Sequence, residues 1–394
     1  MKMKIKSKAS KKQTAVKTLA TIIIHAAILS LVMINFLACT AQEAPNIQNH
    51  QNQEEGQGQT RVVTDVLGRQ VEIPAEVRTI IALGSGAPRL AAYLGVMDMV
   101  VGGEAYMTSE INVLRDYNPV YHSRLTALPI VGAGGGSGDN NGFPEEIIMV
   151  SPDVILVGFD REAAEELAMQ TRLPVVSVRH ATGLATECFR NALRVFAEVT
   201  GTGGRGEELL AFIDEAKADL YRRTSAVPVS ERPRVYAGAV TWNGRRGFAG
   251  TYSVFGIFDA VNAVNVAYVP GIHGFYEASF ESIIMWDPDV VFIDPGNMDL
   301  VESEYRTNPE FFRSLRAVRE GRVYTMPSFN NAGTNITYAL INAWYAGIVL
   351  FPEQFADVYI TEKAGEILTK FLGENTFDVM RENGLFYGQL TIGE

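Results

Sequence analysis

Residues Glu145 to Val157 read EEIIMVSPDVILV, and residues Glu281 to Ile293 read ESIIMWDPDVVFI. The shared pattern Glu-x-Ile-Ile-Met-x-x-Pro-Asp-Val recurs at a spacing of 136 residues. Each copy has the same physical grammar. A glutamate opens a short helix that is expected to pack its Ile-Ile-Met face. The x-Pro pair then stops that helix, because the residue before proline is pushed out of the helical region. The β-branched run that follows reads as a strand buried on both faces, as in a parallel sheet covered by helices. A helix-Pro-Asp-strand junction alone is common. The added Glu and Ile-Ile-Met make it a duplication of one α/β plan.

Upstream, Arg61 to Pro74 (RVVTDVLGRQVEIP) alternates apolar and polar residues around Leu67-Gly68-Arg69, which predicts a β-hairpin. Thr79 to Leu83 reads as a buried strand, Gly84-Ser85-Gly86 as a turn and Ala87 to Gly95 as a helix, the opening of a βαβ unit. Between the two copies, Thr186 to Val199 and Gly206 to Arg223 show helical spacing. The second begins with acids and ends in Arg222-Arg223, matching the helix dipole at both ends. Strand Val235 to Val240 then opens the second half. The expected organisation is a signal peptide at 1–38, a tether at 39–60, an N-terminal α/β lobe at 61–184, a helical linker at 185–226 that includes a bridging helix, and a C-terminal α/β lobe with terminal helices at 227–394.

The formal net charge is -11, yet the first 38 residues carry seven lysines and no acid, so the remainder stands at -18. A body this acidic repels phosphate backbones, which argues against nucleic-acid binding. Those lysines form a basic start, Leu19 to Leu37 is mostly apolar, and small Ala38 precedes Cys39, which is the architecture of a secretory signal. Ending on Cys39, the segment resembles the lipobox of bacterial lipoproteins, which implies acylation of that cysteine; Phe36 and Leu37 depart from the usual pattern. An uncleaved signal anchor is the alternative. Either way the body is expected outside the cytoplasm. Thr40 to Thr60 is rich in Gln, Asn, Glu and Gly and too poor in large apolar side chains to offset its ordering entropy, so it reads as a flexible leash. Cys188, the second cysteine, is read as a buried helix residue.

The pattern Asp65-x-x-Gly68-Arg69-x-Val71-x-Ile73-Pro74, the Ile80 to Gly84 strand, the two repeat units around one linking helix, and the late Asn308-Pro309-Glu310-Phe311-Phe312 … Gly321-Arg322-Val323-Tyr324 segment stand in a specific order. Together they resemble the periplasmic-binding proteins of ABC importers for iron-siderophores, haem and cobalamin, over about residues 61 to 350. The resemblance implies a class III periplasmic-binding-protein-like α/β fold: two Rossmann-like lobes bridged by a single long α-helix, with ligand in the cleft and little hinge closure. It implies a monomer serving a permease and its ATPase, with a surface glutamate on each lobe, by position Glu145 and Glu281, pairing with arginines of the permease. An acid at a helix start is also favoured by the dipole alone.

In doubly wound sheets, ligands sit beyond the carboxyl ends of the strands. That rule nominates Ser85, Arg89, Tyr106 and Gly135 in the first half, and Trp242, Arg245, Arg246, Tyr252, His273, Tyr276, Asn331 and Asn335 in the second. Aromatic rings interleaved with Arg245 and Arg246 suit a flat or chelated anion, through stacking and charge-assisted hydrogen bonds. Outside the leader and leash only His122, His180 and His273 remain, and no His-x-His occurs, so a free metal ion is a weaker expectation. The expected cargo is an iron complex (siderophore or haem) or a cobalamin-like chelate, with no cofactor of its own. A molybdate- or tungstate-like oxyanion or a free metal on the same fold is the alternative, and a chelatase-like enzyme the second alternative. No acid/base or nucleophile constellation is visible to support catalysis.

Overall fold

Two separate parallel sheets carry the two copies of the repeat. The computed structural model describes residues 59–107, 110–135, 140–181 and 183–393, so the leader, Cys39, all but the last two residues of the tether, and 136–139 lie outside the described residues. All described residues belong to one compact unit, Gly58–Glu394. The chain enters through an antiparallel hairpin, β1 (Thr60–Thr64) and β2 (Gln70–Pro74). Asp65 explains the Asp-x-x-Gly-Arg motif. Its buried carboxylate accepts from the Leu67 and Arg69 amides, from the Arg69 guanidinium, and from the Ser177 amide of the first sheet.

That sheet consists of β3 (Ile80–Leu83), β4 (Val100–Glu104), β5 (Ile130–Gly132), β6 (Val154–Val157) and β7 (Val175–Ser177), in the order β5-β4-β3-β6-β7. The second half adds β8 (Arg234–Gly238), β9 (Gly250–Tyr252), β10 (Val264–Asn265), β11 (Phe275–Glu277), β12 (Val290–Ile293) and β13 (Val323–Thr325). Its parallel sheet runs β10-β8-β12-β13, with β9 and β11 as a separate antiparallel pair. Strands β6 and β12, the repeat's strands, are buried along their whole length. Each sits beside the first parallel strand of its own half, β3 or β8.

The Pro-Asp step of the repeat ties each helix to its sheet. Asp153 accepts the Arg78 and Thr79 amides at the start of β3, each at 2.8 Å. Asp289 accepts the Arg234 amide at the start of β8, also at 2.8 Å. Both repeat helices, Pro144–Val150 and Phe280–Trp286, end on a left-handed residue, Ser151 or Asp287. One expectation is corrected here. Only the first isoleucine of each Ile-Ile-Met, Ile147 or Ile283, is buried; Ile148, Met149, Ile284 and Met285 face solvent. A helix of two turns touching a sheet on one side buries a single residue of three consecutive ones.

The helices Glu187–Thr200 and Gly203–Thr224 lie between β7 and β8. The second spans 22 residues, about 33 Å, and packs on the first helix, on Gly256–Ala260 and on Ile336–Leu350. Cys188 is exposed, not buried, because the first turn of its helix turns Phe189 inward instead.

The two halves are also knotted directly. Arg89, 1% exposed, donates to Asp116 at 2.9 Å and to the backbone carbonyls of Asn331 and Ala332 at 2.9 and 3.0 Å. Asp116, fully buried, also accepts the Tyr93 and Thr337 hydroxyls, while its amide donates to the Asn335 side chain at 3.1 Å. These bonds pin the Ser328–Asn335 strap, which follows β13, onto the first half. Removing one member of such a pair leaves a buried charge uncompensated. Asp116→Asn is therefore expected to lower unfolding free energy by about 3–5 kcal/mol in urea titration; a loss below about 1 kcal/mol would contradict the knot.

Candidate ligand-binding cleft

The crevice lies where the doubly wound rule puts it, outside the carboxyl ends of strands where each sheet's order reverses. In the first half the reversal falls at β3, and Ser85 in the following turn lines the crevice together with Leu114. In the second half it falls between β8 and β12. Thr241, Trp242, Asn243, Gly244 and Arg245 follow the first of these strands, and Asp294, Gly296 and Asn297 follow the other. The strap contributes Ser328, Asn330, Asn331, Ala332 and Gly333, and the whole encloses about 430 Å³. Ligand sites of small molecules span roughly this range.

The wall joins polar groups to apolar surface from Leu114, Trp242 and Ala332, and carries one acid, Asp294, and one guanidinium, Arg245. Arg245 is held by Asn297 at 3.1 Å and paired with Asp299, which is two-thirds exposed. Burial pushes the Asp294 carboxyl up from its usual range, against the pull of the Thr241 hydroxyl at 2.6 Å and the Gly296 amide at 3.0 Å. Tyr252 sits behind the wall, 7% exposed, donating to the Thr241 carbonyl at 3.2 Å and accepting from Asn330 at 3.1 Å. Burial pushes its hydroxyl up to about 12.

Under the first-half floor lies Glu104, fully buried at the end of β4, whose Oε1 accepts the Gly84 amide at 2.7 Å. It thereby supports the turn that presents Ser85. Gly84 has φ +75°, and an added Cβ would lie 2.6 Å from the Phe159 ring, so only glycine fits. Beside Glu104, Arg115 stacks over the Tyr106 ring at 3.7 Å. The same ring lies against Gly134, where a Cβ would overlap it.

The structure brings Ser85, Trp242, Arg245 and Asn331 together in one wall. His273 lines a smaller side pocket of about 70 Å³ with Trp242, Tyr252, Phe255 and Gly183. The other nominated residues take different places. Arg89 and Asn335 belong to the knot, with Asn335 donating to the Leu114 carbonyl at 2.9 Å. Tyr276 spends its hydroxyl on the Ala267 carbonyl at 2.6 Å. Arg246 packs behind Trp242, donating to its carbonyl at 3.0 Å and lying 5.1 Å over the Phe275 ring. Tyr106 and Gly135 are not among the residues that line the crevice. His180 is a packing residue: its ring fills the space above Gly86, and burial pulls it down to about 4. Among the described residues, no three of His, Cys, Asp and Glu come together as a metal site.

Sequence reasoning passed over Asp294, Asn297 and the supporting Glu104. Asp294 had a visible signal, since it is the first residue after the second repeat strand and the carboxyl-end rule applies there as well.

Two doubly wound sheets in one unit, spanned by one long helix and presenting a crevice at their reversal points, define a two-lobed binding protein. The sequence matches the periplasmic binding protein family over residues 80–329, and the chain belongs to that family. Family membership places the folded body outside the cytoplasm; among the described residues no helix is long and apolar enough to cross a membrane. A curated relative, the molybdate-binding protein MolA of Haemophilus influenzae, is 24% identical over 336 residues, 79% of this chain and 90% of that protein. Its molybdate-bound structure superposes with TM-score 0.60 at 22% identity, covering 80% of this chain and 98% of that one. A periplasmic solute binding protein from Veillonella parvula gives TM-score 0.63 at 19% identity, covering 83% and 97%. The periplasmic haem-binding protein HutB of Vibrio cholerae gives 0.50 at 18%, covering 70% and 99%. At these identities the structural likenesses show the fold.

Because burial raises Glu104 to about 7 from 4.5, its proton is held more tightly in the native than in the unfolded chain. Native stability is then lost as pH rises from about 4.5 through about 7. Glu104→Gln keeps the acceptor for Gly84 and removes the ionisation. Its unfolding free energy is expected to exceed the parent's at pH 8 by up to about 3 kcal/mol and to match it near pH 4. An equal difference at both pH values would contradict this.

Proposed function

We propose that this protein is the substrate-binding component of an ABC importer, and that its cargo is a small tetrahedral oxyanion of the molybdate type. The carrying observation is the lining around Arg245: the Ser85 hydroxyl and the Asn243 and Asn331 amides share the crevice with this one guanidinium, itself paired to Asp299. Neutral donors around a single cation suit a compact anion held by hydrogen bonds. The molybdate-binding relative supports it independently. Haem fits less well: His273 lies in the side pocket and the Tyr276 hydroxyl is engaged inside the fold, so neither is placed as an axial ligand.

An iron chelate is the second reading, favoured by a crevice of about 430 Å³, which is more room than one tetrahedral anion fills, and by Trp242 on its wall. On either reading Cys39 carries the lipid that holds the body at the membrane, and Glu145 and Glu281 dock on the permease. Both glutamates are exposed, and neither has an ion-pair partner among the described residues.

Isothermal titration calorimetry with sodium molybdate, tungstate and sulfate, ferric siderophores and haem tests the choice. Molybdate or tungstate is expected to bind tightest, and Arg245→Ala to weaken it by about 10- to 100-fold, the worth of one charge-assisted hydrogen bond. Tight binding of a ferric complex with no heat from either oxyanion would overturn the reading.

A further inference from the structure

We infer that the second isoleucine and the methionine of each repeat are paired apolar anchors for the permease, flanking the two docking glutamates. The inference rests on the importer reading above and adds to it the chemistry of the contact. Glu145, Ile148 and Met149 stand at i, i+3 and i+4 on the Pro144–Val150 helix, so they share one face. Glu281, Ile284 and Met285 repeat that spacing on the Phe280–Trp286 helix. The apolar members are strongly exposed: Ile148 49%, Met149 83%, Ile284 44% and Met285 76%.

Single exposed apolar side chains are ordinary on any surface. These are not single. Among the described residues, no other exposed large hydrophobic stands next to another in sequence, and the adjacent pair occurs at the same position of both repeat copies. The buried member, Ile147 or Ile283, is the one fully covered residue of each trio, and the methionines stand almost free of the fold. An unpaired acid at the head of each stripe sets the charge of the partner: each socket is an apolar depression bordered by a lysine or arginine. Methionine suits such a socket, since its unbranched thioether adapts to irregular apolar surfaces. Two like stripes on two like halves require two like sockets. The occupant is therefore the permease face outside the membrane and not an unrelated soluble protein.

The test uses the full chain in its own cells. A photo-crosslinking amino acid is placed at Met149, Met285 or, as a control on the Arg161–Thr171 helix, at Met169, which is 74% exposed. Crosslinks from Met149 and Met285 to a multi-spanning membrane protein, identified by mass spectrometry, with none from Met169, are expected. Met149→Ser/Met285→Ser is expected to keep the parent's melting temperature and molybdate affinity while molybdate uptake at limiting carrier falls at least about tenfold, as for loss of interface anchors. Unchanged uptake in this variant, or crosslinking equal to that of Met169, would overturn the inference. If Glu145→Gln/Glu281→Gln abolishes uptake while the serine variant does not, the acids dock without apolar anchors and the importer reading stands. Absence of any oxyanion or iron-complex binding by the purified parent would instead sink the importer reading itself.

Discussion

A buried guanidinium–carboxylate pair joins what the sequence duplicated. Arg89 comes from the first helix of one half, and the carbonyls it holds belong to a strap that leaves the last strand of the other. Burying two charges carries a desolvation cost that only complete hydrogen bonding offsets. Asp116 meets that condition through two hydroxyls and the guanidinium, with its own backbone amide held by Asn335. The arrangement fixes where Asn330 and Asn331 stand, and with them one wall of the crevice. It adds a polar connection to the covalent one through the Gly203–Thr224 helix and to the apolar core that residues of both halves share.

Around that constraint the binding chemistry follows from sheet topology. Each sheet reverses its strand order once, and the loops just beyond the reversal line the crevice. Ser85, Thr241 and Asp294 stand at those points. Their supports are buried polar groups: Glu104 beneath the Ser85 turn, and Asn297 bonded to the Ala239 carbonyl and the Thr241 hydroxyl beneath the other wall. A crevice whose donors are held from below is organised before the ligand arrives, which lowers the ordering cost of binding.

The fold was legible because duplication, strand burial and proline punctuation are local signals. The hairpin, the strands of both repeats, the two linking helices and the α/β class all emerge from windows of about a dozen residues. The site was legible only as loops. Trp242, Arg245 and Asn331 lie in loops that the carboxyl-end rule selects, yet that rule gives no direction for a side chain. Arg89, Asn335 and Tyr276 turn inward because partners more than a hundred residues away, or a carbonyl nine residues back, claim their polar atoms. Periodicity also misjudged the repeat's own methionines, since a run of three apolar residues on a short helix does not reveal which one meets the sheet.

The most direct measurement of the knotted, pre-formed crevice is a distance distribution between the halves by double electron–electron resonance. Spin labels at Met169→Cys and Tyr268→Cys, both exposed positions, in a chain with Cys39 and Cys188 replaced by serine, report it. The account predicts one narrow distance in the unliganded protein, unchanged when molybdate is added. A broad or two-peaked distribution that collapses to a shorter distance with ligand would contradict it, showing halves that swing freely and close on their cargo.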